Sequence, residues 1–443
     1  MYLMKVTFIM PCVGRKPGSA KYIRSWLMEP LALAALAGLT PRSIDRICYD
    51  DRLEAIPYDE KSDLVAINTE TYTARRAYQI AAEYRKRKVP VVMGGFHATL
   101  MPDEVQRHCD AVVIGPAEKV WPQILEDCAS HRLGKRYKDE TTRAEFSVMP
   151  DRSIYQDKRY SQVTLVETAR GCRYTCEFCS ISAFFEHRYT TRPIQEVVDE
   201  LKQLNARNIF FVDDNLFVNR SRSIELLQAI KPLNLRWVGQ VSIDICKDPQ
   251  ILQLLSDSGC AGVLIGFESL NPDNLDAMGK RNNLLQEYDS ALAILRRYGL
   301  AVYGTFVFGY DHDTRQTFEA TLHFAQKHKL FFAAFNHLVP FPGTPLYNRL
   351  HSEQRLLYDA WWLDDSYRFG DIAFKPYLMS AQDLSETCRQ YRKKFYSSRS
   401  VLYRSLDRQA NCKNVFMAAL YLHENMSARI QVDQRQGLPL GIG

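Results

Sequence analysis

A chain of 443 residues with 46% hydrophobic and 24% charged positions has room for two or three domains and is neither fibrous nor disordered. Its 57 Lys+Arg against 51 Asp+Glu give +6, slight for this length and free of like-charge blocks, which argues against a dedicated nucleic-acid protein. The longest apolar run, Leu31 to Leu39, is far too short to span a membrane. The first residues read as a strand followed by a turn at Pro11 and Gly14, not as a signal peptide. Eleven cysteines, an odd number with no secretion signal, point to reduced thiols in the cytoplasm rather than a disulfide framework.

Strands are expected at Lys5–Met10, Arg46–Asp50, Asp63–Asn68, Val89–Met93 and Ala111–Ile114. Between them lie the Ala/Leu-rich segment opened by Pro30 and the amphipathic stretch Thr73–Lys88. Strands alternating with helices predict a parallel, doubly wound sheet over residues 1–130, with its ligand at the carboxyl ends of the strands. Residues 131–160 are polar, carry Gly134 and Pro150 and read as a linker. From residue 161 the alternation resumes. Six βα units over residues 161–349, with strands near 163–168, 209–212, 237–242, 262–267, 302–308 and 333–340, predict a partial (β/α)6 barrel with its chemistry at the strand C-termini. Residues 350–443 read as a mainly helical, aromatic-rich extension.

The sharpest motif follows the first strand of this second unit. Cys172, Cys176 and Cys179 stand at C-x3-C-x2-C, with Phe178 before the last cysteine. Three thiolates from one loop can hold three irons of a 4Fe–4S cluster and leave the fourth iron open to another ligand. The alternatives are a zinc site, which prefers four ligands when structural, and buried structural thiols. No fourth Cys or His sits at a short spacing.

This motif after a strand resembles the signature of the radical S-adenosylmethionine enzymes. The resemblance implies that the methionyl amine and carboxylate chelate the open iron, and that one electron from the cluster cleaves a carbon–sulfur bond. Other segments match in order, and with Phe178 they supply the expected S-adenosylmethionine contacts. Asp213 ends the second barrel strand, Gln240 and Ser242 lie on or just after the third, and Thr305 is in the fifth. Glu268 ends the fourth strand, where similar enzymes use a carboxylate to bind the ribose hydroxyls. An acid at a strand end also often caps the next helix, here the one near Pro272.

The first unit is similar to the N-terminal cobalamin-binding domain of one large subgroup of these enzymes. Gly94, Gly95, His97, Gly115 and Glu118 carry that likeness, although Gly94-Gly95 could equally make a tight βα turn capped by His97. Two departures stand out. No histidine has Asp two residues before it, so a cobalamin here would lack the usual D-x-H-x-x-G lower ligand. The usual Gly-Glu-x-Glu is Gly115-Pro116-Ala117-Glu118.

The cofactors implied are a 4Fe–4S cluster, S-adenosylmethionine and cobalamin, and the partners a small-molecule substrate and a reducing donor such as flavodoxin or ferredoxin. The reaction implied is methylation of a small-molecule natural product or metabolite. Cyclisation or rearrangement, or 3-amino-3-carboxypropyl transfer with a degenerate cobalamin domain, are the alternatives. A non-catalytic cobalamin or iron–sulfur sensor is the remote one.

Overall fold

The computed structural model describes residues 4–16, 27–141, 145–204, 206–280 and 283–442. The first sheet contains β1 (Lys5–Met10), β2 (Asp45–Asp50), β3 (Leu64–Asn68), β4 (Val91–Gly94), β5 (Ala111–Ile114) and β6 (Arg136–Lys138). All pair in parallel, in the order β2-β1-β3-β4-β5-β6. Its central strands are runs of Val, Ile, Ala and Leu because helices cover both faces. One face packs on Leu33, Ala34, Trp121 and Ile124, the other on Ala77, Ile80, Ala81 and Tyr84. The helix Ala74–Lys86 buries the latter stripe and ends on Arg85 and Lys86, where the helix dipole favours cations. β6 lies inside the segment expected to be a linker. Tyr137, with its hydroxyl bonded to Asp127, is the buried residue that turns this polar stretch into an edge strand.

The second sheet contains β7 (Thr164–Val166) and, after a short antiparallel pair β8 (Ala169–Arg170) and β9 (Thr190–Thr191), β10 (Asn208–Phe211), β11 (Arg236–Val241), β12 (Cys260–Glu268), β13 (Ala301–Phe308) and β14 (Phe332–His337). Strands β7 and β10–β14 pair in parallel in sequence order. That is an open six-stranded βα barrel. Helices Ile194–Gln203, Arg220–Ile230, Pro249–Asp257, Tyr288–Arg297 and Arg315–Lys327 connect the strands and cover their outer face.

Register settles which residues look inward. Gln240 pairs with Leu264, and Gly266, two residues on, pairs with Thr305. Since successive residues alternate faces, Gln240, Gly266 and Thr305 share the face opposite the helices. Along β11 this face is exposed at Arg236, Val238 and Gln240, whereas Trp237, Gly239 and Val241 are buried.

The extension joins both units. Trp361 donates to the Pro340 carbonyl, and Trp362 donates to the Glu104 carboxylate of the first domain. Both indoles are 1% exposed, so they pack between the domains. Beyond them, helices Ala381–Phe395, Ser398–Arg404 and Val415–Gln431 close the barrel flank. Arg404 is fully buried, donating to the carbonyls of Leu330, Phe331 and Phe395 and to Asn425 Oδ1. Replacing it by Leu leaves several buried acceptors unpaired. Arg404→Leu is expected to lower stability by about 3 kcal/mol or more in denaturant unfolding.

Candidate active site

The cysteine loop begins at Gly171, whose φ of +84° and lack of Cβ let the Arg188 carbonyl pass against it. Its N–H donates to Asp214 Oδ2 at 2.8 Å. Downstream, Glu177 N–H reaches the Met278 carbonyl, and Leu346 N–H donates to the Glu177 carbonyl. Arg349 grips the Glu177 carboxylate at 2.8 Å, so the helix Pro345–Ser352 after β14 clamps the cysteine loop from the far side of the barrel. Cys172, Cys176 and Cys179 are free thiols, Cys176 buried and the other two half-buried. Burial pushes all three thiols up, Cys176 to about 11. Cationic iron supplies the opposing charge such thiols need to act as thiolates. Among the described residues no three His, Cys, Asp or Glu side chains gather tightly enough for one ion, unlike a closed structural zinc site.

Lys280 lies beside this loop. Its ammonium donates to Glu268 Oε1 at 3.0 Å. Burial works against its charge, but Glu268 and the thiols of Cys176 and Cys179 outweigh burial and hold the ammonium above its ordinary range. Glu268 is non-glycine backbone at φ +64°, at a register shift in β12. A Cβ on Gly266 would clash with Glu268 Oε1, so that glycine makes the space the carboxylate folds into. Helix Pro272–Ala277 is capped by Asn271, which leaves Glu268 free of that role.

The other expected contacts divide. Gln240 and Thr305 lie on the open barrel face. Ser242 Oγ accepts from Asn215 Nδ2 at 2.8 Å, and Phe178 packs edge-on to Tyr310. Asp213 differs from the expectation. Its buried carboxylate accepts from Thr168 N–H at 2.7 Å and Thr168 Oγ at 2.6 Å, and burial pushes it up to about 7. It therefore positions the strand that leads into the cysteines.

At the carboxyl edge of the first sheet lies a cavity of about 290 Å³. Gly94, Gly95, Gly115 and Glu118 line it, together with Glu167, Arg170, Phe184 and Phe185 from the barrel side. The space around Gly115 is open for at least 4 Å, whereas Gly95 is pressed against Asn68 and Thr69 and serves the βα turn. Arg192, 2% exposed, lines the same cavity with Nε and Nη2 unpartnered. An open glycine shelf and orphaned N–H donors fit a large ligand rich in amide and phosphate acceptors, as cobalamin is.

His97 is elsewhere, which corrects the expectation that it faces this ligand or caps the turn. It is fully buried beside Thr71 and bonds Glu104 Oε1 at 3.1 Å, a carboxylate also held by Tyr78 and Trp362. Glu118 lines the cavity, but its carboxylate is bound to Arg170 at 2.6 Å. Arg170 also pairs with Glu167 at 2.7 Å and covers the Phe146 ring at 4.1 Å.

Sequence reasoning missed Arg170, Lys280, Arg192 and Glu70. Arg170 lies two residues before Cys172, just outside the cysteine motif. The other three gain meaning only from tertiary neighbours. Glu70 is half-buried in the cavity wall, and burial, eased by a bond from the Asn68 side chain, pushes its carboxyl up to about 7. A raised carboxyl holds its proton longer in the folded than in the unfolded chain. Its stabilising contribution is therefore full below the ordinary carboxylate range and is lost as pH rises through about 7. Without cobalamin, Glu70→Gln should match the parent near pH 4 and exceed it by on the order of 2–3 kcal/mol near pH 8. Denaturant unfolding at the two pH values checks this.

Both units of the chain have known relatives. Residues 28–125 match the B12 binding domain and residues 166–325 the radical SAM superfamily. The chain is 30% identical over 395 residues to the bacteriochlorophyllide d C-12(1)-methyltransferase of Chlorobaculum tepidum, covering 86% of each. It is 25% identical over 350 residues to the hopanoid C-2 methylase of Rhodopseudomonas palustris, covering 75% of this chain and 66% of that one. Its fold is similar to the cobalamin-dependent radical enzyme OxsB, with a TM-score of 0.65 at 13% identity over 97% of this chain and 72% of the other. It is also similar to the methyltransferase TsrM from Kitasatospora setae, with 0.63 at 17% identity over 79% and 76%. The chain belongs to the radical SAM superfamily, as an enzyme with an N-terminal B12-binding domain whose cofactors are a 4Fe–4S cluster, S-adenosylmethionine and cobalamin.

Proposed function

We propose that this enzyme methylates a small-molecule natural product or metabolite in a reducing cytoplasm, drawing electrons from a flavodoxin or ferredoxin. One observation carries the reading. The glycine shelf of the first domain and the segment leading into the cysteines line the same cavity, so the sites for cobalamin and the cluster are neighbours. Relatives named for methylating a bacteriochlorophyllide and a hopanoid support a bulky, largely apolar acceptor. When bound, the cluster supplies the electron that opens a carbon–sulfur bond of S-adenosylmethionine, and cobalamin supplies a methyl carrier.

The chain's own residues do the rest. Cys172, Cys176 and Cys179 hold three irons, and the Lys280 ammonium offsets negative charge beside them. Its pairing with Glu268 holds that carboxylate over Gly266, on the barrel face shared with Gln240 and Thr305. There a carboxylate can accept two bonds from the vicinal ribose hydroxyls. Gly94 and Gly115 seat the corrin, Arg192 offers its free N–H groups, and Glu118 orients Arg170 rather than the ligand. Phe96, Phe184 and Phe185, packed with ring centroids 4.4 and 4.7 Å apart, wall the cavity against water.

The test is anaerobic reconstitution with iron, sulfide and hydroxocobalamin, then reduction with S-adenosylmethionine and mass analysis of the nucleoside products. Methylation gives S-adenosylhomocysteine together with deoxyadenosine and methionine. Methylthioadenosine would overturn the reading in favour of carboxypropyl transfer, and deoxyadenosine without S-adenosylhomocysteine would overturn it in favour of cyclisation or rearrangement. In the same preparation Glu268→Ala should weaken S-adenosylmethionine binding by about tenfold or more, at about 1.5–3 kcal/mol per lost bond to a charged acceptor, with iron content unchanged.

A further inference from the structure

The helix Val415–Gln431 is apolar on both sides. Met417, Tyr421 and Asn425 are its buried residues and face the chain's own core. On the opposite side Val415, Ala419, Leu422, Met426 and Ile430 recur at spacings of four, three, four and four, which places them on one outward stripe. Val415 is 88% and Ile430 69% exposed. The neighbouring Ser398–Arg404 segment, bonded to this helix through Tyr421 and Arg429, adds Leu402 and, just beyond it, Leu406. Of the fourteen large hydrophobics exposed among the described residues, eight lie between residues 402 and 430. An apolar stripe of this size on a helix whose opposite face is already buried belongs against something.

The surrounding charge says what. Arg399, Arg408, Lys413 and Arg429 are exposed around the stripe, and Arg236 lies over the Phe416 ring at 4.2 Å. Glu424 is the acid of this helix, while Asp407 is buried and paired with Arg296. An apolar stripe rimmed by cations, with Tyr403 and Phe416 at its margin, matches the chemistry of an interface helix lying on anionic lipid. A second copy docked here would bring a like-charged rim against its own kind.

We infer that the outward face of the helices Ser398–Arg404 and Val415–Gln431 docks the enzyme on an anionic bilayer surface. The geometry keeps the reaction clear of the lipid. Lys413 and Arg404 bond the Gly299, Leu330 and Phe331 carbonyls, which precede β13 and β14, and Arg236 opens β11. The face therefore lies at the amino ends of the barrel strands, opposite the end that carries the cysteines and Glu268. The inference is independent of the reaction proposed above.

Vesicle flotation of the full chain tests it. Vesicles of phosphatidylcholine mixed with phosphatidylglycerol should carry the protein upward, and phosphatidylcholine alone should bind it about tenfold less or weaker still. The double variant Leu422→Glu/Ile430→Glu should lose about tenfold or more in lipid binding with unchanged circular dichroism. A second variant, Arg399→Glu/Arg408→Glu, leaves the stripe intact and should lose the preference for the anionic vesicles. Protein that stays at the bottom with both vesicle types overturns the inference. So does a parent that sediments as a dimer without binding lipid and becomes a monomer on Leu422→Glu, which would make the face a self-interface.

Discussion

The guanidinium of Arg170 is the point on which the two halves of the molecule meet. Glu118 reaches it from the loop after β5, Glu167 from the end of β7, and Phe146 covers its face. Burial works against its charge, yet the two carboxylates outweigh burial and hold the cation in place. Removing one partner of such a group strands a buried charge, so the trio holds together or fails together. Because Arg170 stands two residues before Cys172, whatever fixes its position also fixes where the cysteine loop begins. The same trio forms part of the cavity wall, so the cofactor site of one sheet is built partly from the other.

Several acids are held at a cost at the carboxyl ends of the barrel strands. Burial pushes Asp213 and Asp313 up to about 7 and Asp214 to about 6, and each answers by bonding backbone N–H groups. They organise the loops after β10 and β13, and Asp214 also anchors the start of the cysteine loop, where the strand ladders end and backbone donors would otherwise lack partners. Glu70 is different in kind. It faces the cavity, and among the described residues no cation is paired to it, so its bias toward the neutral form is stored at the binding site.

Much of the fold was legible in the sequence because both sheets are parallel, and their buried strands are apolar runs between amphipathic helices. β6 was not legible, since its three residues alternate charged, aromatic, charged and gain a partner only from β5. In the site, the cysteines were legible from spacing and Glu268 from its strand end. His97 was misread because a histidine after two glycines carries the same letters whether it meets a ligand or, as here, a buried Glu104 seven residues on in the next short helix. Asp213 was chosen as an acid just past a strand end and Glu118 as the acid kept from the Gly-Glu-x-Glu pattern, and both lie at the carboxyl edge of their sheets. The bonds to Thr168 and Arg170 that occupy them come from residues 45 and 52 positions away, and no local pattern carries that information.

The account makes the cobalamin site and the cluster site one construction joined at Arg170, and a single variant examines that directly. Arg170→Met, checked by circular dichroism for intact folding, is reconstituted anaerobically, and hydroxocobalamin uptake and iron and sulfide content are measured on the same sample. The account predicts that both fall together, with Glu118→Gln showing the same paired loss in milder form. Full cluster content with lost cobalamin, the reverse, or no change in either would contradict it.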